Sequence, residues 1–307
     1  RGFPNPVAVL KMRAGGSCEE EAAVLVKLGR HPGLVRYLGM CVEGDQLLLT
    51  ELAPLGSLDS FLKDHEDEVT LAHSLAILQQ VCAGMVALTN AGLVHRDLAS
   101  RNVLVFRFDA SDPTKVLVKI SDFGLAVKRH YQTHATVQGE SVPFRWMAPE
   151  ALRRRRFSEK TDVWAFGVTA WELLTGGDVP YAFLDSNEAV AERVCSGHRL
   201  ARPAGCPDGL WDLLQRTWAE KPADRPTFTE LANDLARLDL DPLFDTLEAV
   251  NKDMEVACIH SIAPLVERII KCMPEEVNDA ARLLNDALAS AGQRARTAAC
   301  VRVAASL

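Results

Sequence analysis

The sequence is short of aromatic residues, 6% overall with three tyrosines, and it lacks a basic excess, carrying a formal net charge of −7. Nucleic-acid binders usually present a basic face, so that class is set aside. Its eight cysteines, Cys18, Cys41, Cys82, Cys195, Cys206, Cys258, Cys272 and Cys300, are never close enough for a C-x-x-C or similar metal pattern. Scattered among apolar residues, they read as small buried hydrophobes in a reducing compartment. No signal peptide opens the chain, and no apolar run reaches the length of a membrane span; the longest candidate, Val163–Leu174, is short and carries Glu172. No internal repeat is evident. The chain opens at Arg1 without an initiator Met, as a piece cut from something longer would.

What is present suits an ordinary globular chain. Its 307 residues are 48% hydrophobic and 24% charged, enough for a sizeable core in one large or two ordinary domains. Val7 to Met12 is strand-like, and the charged cluster Cys18–Glu21 leads into an apolar helix ending about Leu28. Leu34 to Thr50 reads as two strands joined by a turn at Glu43-Gly44-Asp45. From Leu71 to Ala91 the apolar residues Leu71, Leu75, Ile77, Leu78, Val81, Met85 and Leu88 recur with helical spacing. Short strands at Val103–Phe106 and Val116–Ile120 flank the polar turn Asp109–Thr114. Val163–Leu174 is a nearly continuous apolar helix, expected to be buried on all sides. Loops are expected at Arg202–Gly209 and Lys221–Pro226. Beyond about Leu238 the pattern stays helical, with breakers near Pro264 and Pro274.

The chemistry concentrates in three motifs. His95 to Asn102 reads HRDLASRN, Asp122 opens DFG and Ala148 opens APE. A lone DFG is weak; the ordered set matches a phosphoryl-transfer signature. That reaction needs positioning and charge neutralisation more than covalent help. Asp97 would accept the proton of a substrate hydroxyl and aim its oxygen at the γ-phosphorus. Asn102 and Asp122 would supply oxygen ligands to Mg²⁺, a hard cation.

On these motifs, Val7 to about Leu238 resembles the catalytic domain of protein tyrosine kinases. Ala99 and Arg101 stand where serine/threonine kinases usually have Lys two after the base and where the tyrosine branch has Ala-x-Arg. Val142-Pro143-Phe144-Arg145-Trp146-Met147 is similar to the tyrosine-kinase docking segment for a flat phenol. The resemblance implies further roles. Thr50 would be the gatekeeper behind adenine. Glu51 and Ala53 would offer hinge backbone groups to the adenine edge, and Leu104 would join the nucleotide site. Asp162 would hold the catalytic-loop backbone, and Glu150 with Arg225 would form a buried brace. Leu25, Tyr37, His95 and Phe123 would stack as the regulatory spine, His95 being a core histidine that orients the loop.

The chain also departs from the family. The glycine-rich loop is absent, with six residues before Val7, which reads as truncation. The family's Val-Ala-Val-Lys is here Val7-Ala8-Val9-Leu10-Lys11, and a one-residue shift sends a strand side chain to the other face. Either Lys11 is the phosphate lysine, with Val9 over adenine, or Leu10 sits in its slot; Lys11 is favoured, with Glu21 as its partner ahead of Glu20. Tyr131 is the sole activation-loop tyrosine, and Arg96 could pair a phosphate on it.

The expected fold is α+β and two-lobed. Residues 1–238 form the catalytic domain, with an incomplete small β-rich lobe (about 1–53) and a large mainly helical lobe (about 54–238). Residues 239–307 form a helical extension, structural or partner-docking. The expected activity is ATP- and Mg²⁺-dependent (Mn²⁺ as alternative ion) phosphorylation of tyrosine in protein or peptide substrates. No nucleic acid and no membrane segment in the chain are expected. The expected place is the cytoplasm, or the cytoplasmic portion of a receptor. A pseudokinase scaffold is the alternative, and a serine/threonine enzyme is opposed by Ala99, Arg101 and Trp146.

Overall fold

The computed structural model describes residues 6–11, 18–41, 46–65, 67–128 and 143–238. The chain divides into two compact units, Arg1–Ala232 and Asn233–Leu307, and the strands and helices that carry the motifs belong to the first.

The first part of this unit is a small antiparallel sheet with one helix. Its elements are β1 (Val7–Lys11), α1 (Cys18–Leu28), β2 (Tyr37–Cys41) and β3 (Leu47–Glu51), with strand order β1-β3-β2. In β3 burial alternates: Leu48 and Thr50 are buried and Leu47, Leu49 and Glu51 less so, as a pleat with one covered face requires. Helix α1 packs on β2 and β3. Glu19, Glu20 and Glu21 lie in its first turn and Lys27 in its last, charges that oppose the helix dipole at both ends.

The larger part is mainly helical. It runs α2 (Leu58–Asp64), α3 (Leu71–Asn90), β4 (Leu93–Val94), β5 (Val103–Arg107), β6 (Leu117–Ile120), β7 (Val127–Lys128), α4 (Pro149–Arg154), α5 (Glu159–Leu174), α6 (Asn187–Cys195) and α7 (Asp208–Thr217). This is the two-lobed arrangement expected. The lobes are stitched where Val35 N donates to Ile120 O (2.8 Å) and Ile120 N donates to Gly33 O (2.9 Å). Here α3 comes so close that a Cβ on Gly84 would stand 2.8 Å from Gly33 O.

Helix α5 is the axle of the large lobe. Ser158 and Thr161 close a capping box at its start, and Val163 through Ala170 are all buried. At Gly167 a Cβ would fall 2.0 Å from Thr217 Oγ1, so α7 approaches backbone to side chain.

Three expectations are corrected. Leu71 is 40% exposed at the start of α3, while the polar His73 and Ser74 are buried behind it. His73 is buried because its Nδ1 accepts from Thr70 N and its Nε2 bonds Asp109 O. Cys82 and Cys206 are buried as expected, but Cys41 is exposed because it ends β2 at the sheet's rim. The longest apolar helix is α3, not Val163–Leu174: its 20 residues pass a membrane-span test of length and composition. Ile77, Leu78, Val81, Met85 and Leu88 are buried within the lobe, so α3 serves as a core helix. The Glu43-Gly44-Asp45 turn, Tyr131 and 239–307 lie outside the described residues.

Candidate active site

Asp162, near the start of α5, organises the loop from His95 to Asn102. Its Oδ2 accepts from His95 N (2.7 Å) and its Oδ1 from Arg96 N (2.9 Å). Arg96 takes a positive φ of 71°, a strained turn that these two bonds support. Burial pushes the Asp162 carboxyl up to about 7, against the pull of both amides.

His95 is fully enclosed. Burial pushes its imidazole down to about 4, so the ring is neutral at pH 7. Asp97 N donates to Nδ1 (3.2 Å), which makes Nε2 the protonated nitrogen, and that N–H donates to Ser121 O (3.2 Å). The ring packs 5.3 Å from Phe123, and Leu25 is buried while Tyr37 is half-buried. His95 is thus enclosed beneath the loop and bonded to its backbone at Asp97 N and to Ser121 O.

Asp97 is clamped from two sides. Arg101 donates to its Oδ1, and Asn102 Nδ2 donates to its Oδ2 (3.0 Å) and to its backbone oxygen (2.6 Å). Burial raises the Asp97 carboxyl, Arg101 and Asn102 draw it back, and nearby Asp122 raises it again. Asp122, at φ 61°, is exposed and accepts from Gly124 N at 3.3 Å. Asp97 and Asn102 are thus bonded to each other, and the Asp122 charge is felt at Asp97.

Two residues that sequence reasoning passed over tie this loop to the docking segment. Glu172 of α5 accepts from Ser100 N (3.0 Å), Ser100 Oγ (2.6 Å) and Trp146 Nε1 (2.8 Å). The Arg101 guanidinium lies 4.4 Å over the Trp146 ring. The available signal was a lone carboxylate inside an apolar helix run, since a buried charge must find donors.

Arg225 and Glu150 form a bidentate pair. Arg225 Nη1 and Nη2 meet Glu150 Oε1 and Oε2 at 2.7 and 3.0 Å. Its remaining donors reach the carbonyls of Ala219, Lys160 and Glu220, which satisfies the whole fork.

On the nucleotide side the placements are mixed. Thr50 is buried at the back of the sheet. Glu51 N donates to Arg36 O, and its carboxylate is taken by Arg36 N (2.8 Å) and Lys119 (2.6 Å). Ala53 O accepts from Gly56 N in a turn, so its amide is the group left to offer. Leu104 is half-buried on β5 opposite Lys119.

Lys11 requires a correction. Ala8 pairs with Thr50 and Leu10 with Leu48, so these four share the gatekeeper's face. Lys11 pairs with Leu47 and stands on the opposite face; Leu10 occupies the slot expected for the lysine. Glu21 lies against the DFG turn. Its buried carboxylate accepts from Phe123 N at 3.3 Å, and burial, then Asp122, push its pKa up. Arg96 Nη1 reaches Leu125 O (3.4 Å), with its guanidinium 4.4 Å over Phe157.

The family model described as "Protein tyrosine and serine/threonine kinase" matches residues 7–235. The chain belongs to that kinase family. Among curated relatives, this kinase is 37% identical to the rat (Rattus norvegicus) ephrin type-A receptor 8 over 242 residues, covering 76% of this chain and 63% of the relative. It is 38% identical to the mouse (Mus musculus) proto-oncogene tyrosine-protein kinase ROS over 242 residues, covering 75% and 10%. It is 39% identical to the tyrosine-protein kinase transforming protein ros of UR2 avian sarcoma virus over 250 residues, covering 77% and 62%. The kinase thus spans less than two thirds of the length of each of these relatives.

Proposed function

We propose that this kinase transfers the γ-phosphate of ATP to tyrosine hydroxyls of protein substrates, acting in signal transduction in the cytoplasm or on the cytoplasmic portion of a receptor. The observation that carries the reading is Asp97 held between Arg101 and Asn102, with Asp122 close enough to shift its titration. In this reaction the phenol O–H proton passes to Asp97 and a bond forms from the phenol oxygen to the γ-phosphorus. The bond from that phosphorus to the β–γ bridging oxygen breaks, and ADP leaves. Arg101 and Asn102 keep the carboxylate aimed, which is a positioning contribution. Arg101 stacked on Trp146 presents a flat surface beside the base, which suits a phenol ring.

The donor set fits Mg²⁺. Both hydrogens of the Asn102 amide are taken by Asp97, which leaves carbonyl Oδ1 as the oxygen ligand beside the exposed Asp122 carboxylate. Among the described residues no group of three His, Cys, Asp or Glu forms a metal cluster. Mg²⁺ is commonly held by one or two carboxylates together with substrate phosphates. When bound, the ion neutralises phosphate charge.

The register of β1 favours a second reading, a pseudokinase scaffold, because Leu10 cannot hold a phosphate. For 239–307 we retain the helical extension. A phosphorylation assay on a poly-Glu-Tyr substrate, with Asp97→Asn alongside, separates the two. The kinase reading expects tyrosine phosphorylation that falls by roughly 10²–10⁴-fold in the variant, the usual worth of a general base. Equal signals, or none from either protein, would leave the scaffold.

A further inference from the structure

Helix α1 turns Glu21 inward. The residue is 5% exposed, while its neighbours Glu19 and Glu20 stay at the surface. A carboxylate so placed needs strong donors or a cation. Asp162 takes two backbone amides and Glu172 three donors. Glu21 has far less. Its Oε1 accepts from Phe123 N at 3.3 Å, a long bond from a neutral amide. Among the described residues Oε2 bonds no donor and no cation pairs with the group. The strand position from which a lysine would answer it is filled by Leu10, on the gatekeeper's face.

A second carboxylate borders the same space. The Cβ that Gly124 lacks would stand 3.4 Å from Asp122 Oδ1 and 3.6 Å from Glu21 Oε2. Both oxygens therefore flank a gap that any side chain at 124 would enter. Asp122 accepts from Gly124 N at 3.3 Å and, like Glu21, pairs with no cation among the described residues. The two charges act on each other: burial first, then Asp122, raises the Glu21 carboxyl. Asp122 and Gly124 are exposed, so the gap opens to solvent and gives an ion a way in. Two acids that repel across a shared gap are stabilised by a cation between them.

We propose that Glu21 and Asp122 hold a hard divalent cation, Mg²⁺ or Mn²⁺, in the nucleotide-free cleft, and that this ion takes the place of the lysine ammonium that Leu10 cannot supply. The site is additional to the pairing of Asn102 with Asp122. It does not depend on phosphoryl transfer, and a scaffold would keep it. Mg²⁺ commonly takes one or two carboxylates and retains several waters, so a pair of acids suffices and no closed cage is needed.

The test uses the full chain without nucleotide. Mn²⁺ binding is read from the electron paramagnetic resonance signal of the free ion, and Tm by scanning fluorimetry. Glu21→Gln keeps an oxygen for Phe123 N, and Glu20→Gln makes the same charge change at the surface. The parent is expected to bind Mn²⁺ at least about tenfold more tightly than Glu21→Gln, since losing even an outer-shell partner costs that much, and Mg²⁺ should compete for the site. Glu20→Gln should match the parent within about twofold, as an exposed charge contributes little. Mn²⁺ should raise the Tm of the parent and of Glu20→Gln and leave that of Glu21→Gln unmoved. Leu10→Lys, which keeps Glu21, tests the claim a second way: the new ammonium should displace the ion. Equal Mn²⁺ affinity in the parent and Glu21→Gln, or unchanged binding in Leu10→Lys, overturns the inference. Weakening in Asp122→Asn with Glu21→Gln unaffected places the ion on Asn102 and Asp122 alone and overturns it too. None of these readouts uses phosphorylation, so the kinase reading stands or falls separately.

Discussion

At the scale of single residues, the Leu10–Lys11 pair carries the sharpest consequence. Leu10 shares a face with Leu48 and Thr50, and Lys11 does not. Lys11→Met is therefore expected to leave binding of a fluorescent ATP analogue unchanged within about twofold. Leu10→Lys should tighten it roughly tenfold, the worth of one charge-assisted contact. A collapse of binding in Lys11→Met would reverse the register. The candidate residues Asp97, Asn102 and Asp122 could be proposed from the sequence because HRDLASRN and DFG fix type, order and spacing together. The lysine's frame was not. Val7 to Leu10 is apolar in either phase, so the choice falls to cross-strand partners on β3, which lie outside the motif. Glu51 shows the same limit: its place at the end of a strand was readable, but the Arg36 and Lys119 bonds that occupy its side chain come from distant segments.

At the scale of elements, helix α5 is held by contacts that admit little change. Gly167→Ala would drive a methyl against Thr217 Oγ1 and the Trp218 ring. Overpacking of this kind is expected to cost about 1–3 kcal/mol or more, read as a lower urea midpoint. Asp162 and His95 titrate in opposed senses. His95 is depressed from 6.5 to about 4, so the unfolded chain binds the extra proton and stability is lost as pH falls through that window. Asp162 is raised from 3.8 to about 7, so the folded chain holds the extra proton and stability is lost as pH rises. Between pH 4 and 6.5 the two offset. Asp162→Asn removes the offset, and urea unfolding at a series of pH values should show the variant losing on the order of 3 kcal/mol more than the parent on acidification. An unchanged pH slope would sink this account. Periodicity gave α3 and α5 within a few residues, but not the polar start of α3, where the His73–Thr70 cap makes burial of a histidine favourable.

At the scale of the whole molecule, the two-lobed arrangement was readable because a strand-led stretch fills the first fifty or so residues, while beyond it helical spacing dominates and the strands are short. Nucleotide should stabilise the cleft by mass action. Saturation with ATP and Mg²⁺ at about 100 times Kd adds about 2.7 kcal/mol, a rise in Tm of roughly 5–10 °C by scanning fluorimetry. Asp122→Asn should remove most of the Mg²⁺-dependent part while leaving the apo Tm near that of the parent. An equal rise in both proteins would place the ion elsewhere.

Glu172 sits at a junction whose meaning extends past stability. One side chain on the lobe's central axle grips both the loop that carries the proposed base and the Trp146 indole. On the proposed reading, a change at the indole is carried into the loop that holds Asp97.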